Sequence, residues 1–209
     1  MHIRLKDIAQ KFGKEFIFRG LSADFKPGSK TAVLGGNGSG KSTLLKIIYG
    51  AQTPTEGTAS CFDKEGKRIH QDKVPFYIQL SGPYYELIEE LSVLDFLNTY
   101  QKFRPFRDSF SSTKIIETAM LEHRAKAPIK NLSSGMRQRL KLALALCAKA
   151  DVVMLDEPTS NLDPEGVTWF QHLLQSELNE RSLFIGSNFN TDEIFMCSNQ
   201  LELKDYKQL

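Results

Sequence analysis

A chain of 209 residues, 41% apolar and 25% charged, is long enough for one sizeable core and excludes a disordered or fibrous protein. Its formal net charge of +2 argues against the concentrated basic face that a nucleic-acid partner needs. No apolar run is long enough to span a bilayer: the best candidate, Leu142 to Leu155, is broken by Lys149 and Asp151, and Met1 to Lys6 lacks the apolar block of a secretory leader.

In chain order, Ile3 to Phe25 reads as short strands about a Phe12-Gly13-Lys14 turn. Thr31 to Leu34 is an apolar strand, followed by a glycine-rich turn and a helix over Ser42 to Ile48. Val74 to Ile78 reads as a further strand. From Leu91 to about Lys126 the pattern turns helical, punctuated by Pro105 and Pro128. A second helix starts near Ser134, with Leu140, Ala143, Leu144 and Cys147 on one face. Val152 to Leu155 is continuously aliphatic, as suits a parallel strand covered on both sides. Asp163-Pro164 opens a helix with a cap and a proline at its first position, and Val167, Phe170, Leu174 and Leu178 form its stripe. Strands at Leu183 to Ile185 and Leu201 to Leu203 complete the pattern. The expected class is α/β with a mostly parallel core sheet, an N-terminal antiparallel β portion and a helical subdomain inserted over about 91–149, all in one domain, 1–209. Cys61, Cys147 and Cys197, odd in number and widely spaced, read as reduced thiols rather than a disulfide or metal site.

Gly35-Gly36-Asn37-Gly38-Ser39-Gly40-Lys41-Ser42, followed by Thr43, fits the phosphate loop G-x-x-x-x-G-K-[ST], with the strand before and the helix after that the motif requires. Backbone N–H groups must converge on anionic oxygens, and side chains would obstruct them; the helix N-terminus adds its dipole. Lys41 is expected to reach the β- and γ-phosphates and Ser42 to ligate Mg²⁺, which defines a P-loop NTPase core. Asp156-Glu157 follows a strand, at the end of a sheet where ligands bind. There Asp156 is expected to hold Mg²⁺ and Glu157 to orient or deprotonate the attacking water.

On these motifs the chain resembles the ABC (ATP-binding cassette) ATPases over nearly its whole length. Leu132-Ser133-Ser134-Gly135-Met136-Arg137-Gln138-Arg139 is similar to the family's signature segment, with Ser134 and Met136 departing from its familiar glycine and glutamine. The resemblance implies that Ser133, Ser134, Gly135 and Met136 contact ATP bound to another subunit. It also implies that Phe12, with Phe16 competing, stacks on adenine, and that Gln79 senses Mg²⁺ and the γ-phosphate. Ser160-Asn161-Leu162-Asp163 resembles the loop that crosses a dimer interface. Asn188 stands where the family usually has histidine; an amide still donates a hydrogen bond but carries no proton, so hydrolysis is expected to persist at a reduced rate.

What the resemblance implies is an ATP hydrolase using ATP and Mg²⁺. Two copies, or one copy and a related ATPase subunit, would close head to tail and drive a separate transmembrane permease from the inner, cytoplasmic face of the membrane. Pro83-Tyr84-Tyr85 offers aromatic surface for that permease or packs against the helical subdomain. Two alternatives stay open: a soluble ribosome- or DNA-associated ABC protein, and a weakly hydrolysing nucleotide-binding regulator prompted by Asn188.

Overall fold

The computed structural model describes residues 1–207. Two long strands, β1 (His2–Phe12) and β2 (Glu15–Phe25), form an antiparallel hairpin, not the short strands expected; register shifts along β1 let them run on while bending. β3 (Lys30–Leu34) leads through the glycine-rich turn into α1 (Lys41–Tyr49). β4 (Glu56–Phe62) returns to pair with β1, and the two-residue β5 (Arg68–Ile69) pairs with β4, giving an antiparallel sheet ordered β2-β1-β4-β5.

The strand expected at Val74 to Ile78 is corrected. Residues Gln71–Phe76 form a 3₁₀ turn containing Pro75, and β6 spans only Ile78–Ser81. Proline fixes φ and has no N–H to give a ladder, and with Pro75 inside the 3₁₀ turn the edge strand β6 starts only after it. The helical stretch is likewise divided: α2 (Val93–Phe103) stops before Pro105, α3 (Ser112–Thr118) follows, and α4 (Ser134–Cys147) leads to β7 (Val152–Asp156). α5 (Pro164–Glu177) then precedes β8 (Ser182–Ser187), α6 (Thr191–Ile194) and β9 (Asn199–Glu202). Leu203, expected in the last strand, begins a final 3₁₀ turn.

β6, β7, β8, β3 and β9 pair in that order, all parallel, as the core sheet. Strand alternation divides its residues between two cores. Val153, Leu155, Leu183 and Ile185 face α4, α5 and the helices after β6; Val33, Val152, Met154 and Phe184 face α1 and the antiparallel sheet. Phe184 meets Phe25 edge-on at 4.9 Å, and burying such a ring is worth about 1.5–3 kcal/mol. α4 is buried over more than the one face its spacing suggested, with Leu142, Ala145 and Leu146 also inaccessible, because it packs against α3, α5 and the sheet together. On α5 Val167 is only half-buried and Leu173 takes its place in the stripe. All three cysteines are free, and burial pushes the Cys61 thiol up to about 11 and those of Cys147 and Cys197 to about 12.

Candidate functional site

The parallel strands all point their carboxyl ends at one edge, and three of them deliver the site. β3 ends at Leu34 and turns into the loop; Gly40 sits at φ +102°, and a Cβ there would lie 2.6 Å from Ile17 Cγ2. Only glycine fits that turn, which starts α1 at Lys41. Lys41 is buried, and its Nζ donates to the Gly35 carbonyl at 2.9 Å and the Gly36 carbonyl at 3.3 Å. The same ammonium lies 3.3 Å from Glu157 Oε1. These contacts bring the tip of β7 across the sheet to the start of α1.

One residue earlier, Asp156 Oδ2 accepts from the Ser42 hydroxyl at 2.5 Å, while Asp156 Oδ1 is buried with no hydrogen-bond partner. β8 makes room for this carboxylate: a Cβ on Gly186 would stand 2.5 Å from Oδ1. Burial pushes the Asp156 carboxyl above the usual carboxylate range, and neighbouring Glu157 adds to the rise against the opposing pull of Ser42 and Lys41. A hydroxyl and an unpaired buried carboxylate oxygen side by side are hard oxygen donors, so the residues present fit Mg²⁺. Among the described residues no cluster of three or more histidine, cysteine, aspartate or glutamate side chains suits a metal.

The loop residues Asn37–Thr43, Phe12, Ile17, Asp156 and Glu157 enclose a cavity of about 560 Å³. Phe12, 57% exposed at the end of β1, lines it. Phe16 does not; its ring is flanked by the cations of Lys11 at 5.3 Å and Arg19 at 4.8 Å. Pro83 and Tyr84 also line the cavity, with Tyr84 stacked over Lys46 Nζ at 4.3 Å. Neither reading of that pair from sequence, permease surface or packing against the helical subdomain, places it in this cavity. The missing signal is the register of β6 on β7, Ser81 opposite Leu155, which carries the chain on past the acidic tip.

Gln79 does not line the cavity. It is buried within β6, and its Oε1 accepts from the Tyr100 hydroxyl at 2.9 Å and from Arg104 at 3.3 Å, between the sheet and α2. With β6 starting after Pro75, the residue lies two short of the strand's end, and its carbonyl oxygen is bonded to Tyr100 and Arg104, apart from the residues that line the phosphate cavity. Gln79→Ala leaves the Tyr100 hydroxyl unpaired at a cost of about 1–2 kcal/mol. We expect it to lower the melting temperature by about 2–8 °C while turnover changes less than about threefold. Thermal denaturation beside phosphate release checks both. Asn188, exposed just after β8, is likewise not among the cavity-lining residues.

Ser133 caps α4, its hydroxyl accepting from the Met136 N–H at 3.2 Å. Ser134 opens on a different cleft, of about 880 Å³, shared with Gln138, Glu157, Ser160 and Asn161. A Cβ on Gly135 would come within 3.0 Å of the Asn161 carbonyl, so the signature segment lies directly against the loop over Ser160 to Asp163. Asp163 itself caps α5 through the Gly166 N–H at 2.7 Å, and Leu162 is half-buried. Within one chain, none of Ser133 to Met136 lines the phosphate cavity.

The family model described as ABC transporter matches residues 18–160, well over half of the chain. The uncharacterized ABC transporter ATP-binding protein YybJ of Bacillus subtilis (strain 168) is 29% identical over 203 residues, 96% of this chain and 92% of YybJ. The sulfate/thiosulfate import ATP-binding protein CysA 2 of Rhizobium meliloti (strain 1021) is 33% identical over 177 residues, 79% of this chain but 46% of the relative. Among solved structures, a putative ABC transporter ATP-binding protein from Pyrococcus furiosus superposes with a TM-score of 0.80 at 21% identity, covering 100% of both chains. The dimeric post-hydrolysis state of the cassette MJ0796, bound to ADP and Pi, gives a TM-score of 0.81 at 24% identity over 97% of this chain and 94% of that one. With a matched family model, a cradle for a polyphosphate and an acidic pair facing it, the chain belongs to the ABC transporter family, as an ATP-binding and ATP-hydrolysing subunit.

Proposed function

We propose that two copies of this chain close head to tail over two ATP molecules, each presenting Ser133, Ser134, Gly135 and Met136 to the triphosphate held by its neighbour. The observation that carries this reading is the separation of the two half-sites: the phosphate loop lines one cavity and Ser134 another, with Glu157 and Pro83 on the border of both. The loop Gly35 to Thr43 and the Lys41 ammonium bind the phosphates, and Phe12 stacks on adenine. Ser42 and Asp156 hold Mg²⁺, which when bound neutralises charge on the phosphate oxygens. Glu157 takes a proton from the attacking water, and Asn188 at the end of β8 offers an amide to the γ-phosphate once the dimer has closed. The loop Ser160 to Asp163, packed on its own signature, crosses to the partner.

As the reading continues, residues 1–209 act as one catalytic domain whose helical subdomain, 91–149, passes motion to a separate transmembrane permease of unassigned substrate. Among the described residues no helix is long and apolar enough to cross a membrane, which favours a peripheral place on the cytoplasmic face. The MJ0796 cassette bound to ADP and Pi is dimeric, in keeping with this scheme.

Size-exclusion chromatography of the Glu157→Gln protein in saturating MgATP is expected to show a dimer, and the same protein without nucleotide a monomer. Ser134→Arg, at an exposed position on the free chain, should abolish the dimer without loss of folding. A monomer under every condition would sink the closure; co-purification of an integral membrane protein tests the permease.

A further inference from the structure

A carboxylate with no part in the phosphate chemistry sits behind the loop that carries Glu157. Glu193 lies in α6 and is 4% exposed. Its Oε1 accepts from the Thr159 N–H at 3.1 Å and from the Thr159 hydroxyl at 2.7 Å, and its Oε2 accepts from the Ser187 hydroxyl. A glutamate three residues after a helix cap ordinarily folds back onto the N–H of that cap, here Asn190. Instead the Asn190 N–H goes to Ser187 Oγ at 3.2 Å, and the carboxylate turns away from its own helix to join β8 to the loop after β7. A buried carboxylate is costly unless its oxygens are bonded, and these partners are what satisfy it.

That loop needs holding. Glu157 has φ +48° and Asn161 φ +65°, left-handed values that non-glycine residues keep only where the surroundings impose them. Three ties impose them here. The Glu157 N–H donates to the Gly186 carbonyl at 2.8 Å; the Pro158 carbonyl accepts from Gln138 Nε2 at 2.7 Å; Thr159 is clasped by Glu193. Ser187, the other end of the clasp, accepts through its carbonyl from the Gly35 N–H at 3.3 Å, so Glu193 ties the Glu157 loop to the first residue of the phosphate loop.

We propose that Glu193 is a positioning residue for ATP hydrolysis: by clasping Thr159 to Ser187 it holds Glu157 in the left-handed conformation that aims its carboxylate into the phosphate cavity. The proposal rests on the reading of Glu157 as the group that activates water. A carboxylate that only stabilised the fold would, when removed, lower the melting temperature without separating kcat from KM.

The test is steady-state phosphate release by the full chain. Glu193→Ala is expected to lower kcat about 10–50-fold with KM for ATP inside about threefold. Glu193→Gln, whose carbonyl still accepts from Thr159 and whose amide can donate to Ser187, should recover kcat to within about threefold of native. Combined with Glu157→Gln, the alanine change should cost nothing further, because both act through one group. Thr159→Ala removes one tie without stranding a buried charge and should lower kcat roughly fivefold; it carries the test if Glu193→Ala does not fold. Native turnover in Glu193→Ala (in Thr159→Ala, should the former not fold), a KM that rises in step with the fall in kcat, or full additivity with Glu157→Gln overturns the proposal. Native turnover in Glu157→Gln alone overturns the reading beneath it, and is seen without any change at Glu193.

Discussion

Replacing Glu157 by glutamine is expected to lower ATP turnover about 10²–10³-fold, with affinity for ATP unchanged or tighter. The two adjacent carboxylates are in different surroundings, and that difference divides their roles. Asp156 is buried, with Oδ2 bonded to Ser42, which suits the proposed hold on Mg²⁺. Glu157 is about a third exposed, and among the described residues its one ion pair is with Lys41 at 3.3 Å. It can therefore accept a proton from a water in the cavity, which a carboxamide of the same shape cannot. The expected loss corresponds to about 3–4 kcal/mol in the barrier. Removing a negative charge from a cavity that takes a triphosphate cannot weaken binding by electrostatics, so ATP affinity is the internal control. Phosphate release at saturating ATP, with equilibrium titration alongside, checks both. Turnover within threefold of native would remove Glu157 from its role, and a matched loss of affinity would point to a damaged cradle.

The parts of this site that could be read from sequence are those whose physics is local. The phosphate loop needs glycines at fixed spacing between a strand and a helix, and Gly35 to Thr43 supplies them contiguously. Asp163-Pro164 marks a helix start because a cap and a preset φ act within one turn. The aliphatic run before Asp156 announces a strand covered on both faces, and β7 is buried throughout. What escaped depends on register or on distant partners. Gln79 is assigned by resemblance alone, but Pro75 delays β6, and what lines the cavity is Pro83 and Tyr84. Phe12 and Phe16 are equivalent by composition; only the hairpin register, Lys11 opposite Phe16 and Phe12 opposite Glu15, separates them. Glu193 reads as a helix-capping glutamate until Thr159, 34 residues earlier, is seen against it. The separation of Ser134 from the phosphate loop is of the same kind: a resemblance suggests it, and two distinct cavities give it a physical form.

Lys41→Ala should weaken ATP binding about 100-fold or more, while leaving the nucleotide-free protein about as stable as the native one. The buried ammonium sits at the first turn of α1, held by the Gly35 and Gly36 carbonyls and by Glu157. Those partners fix its direction more than they stabilise the fold, since burying a charge costs much of what its contacts return. Toward a triphosphate the balance differs: a charge-assisted hydrogen bond to an anionic oxygen is worth about 2–3 kcal/mol. The consequence is read most directly from ligand-linked melting. At an ATP concentration one hundred times its dissociation constant, the native protein gains about 2.7 kcal/mol, a rise of about 5–10 °C for a chain of this size. At the same concentration a variant binding 100-fold more weakly gains only about 0.4 kcal/mol, a shift of about 1 °C. ADP should lose less than ATP, because the side chain reaches toward the distal phosphates while the loop N–H groups serve the inner ones. An ATP-dependent rise in melting temperature equal to that of the native protein would exclude Lys41 from the phosphate cradle.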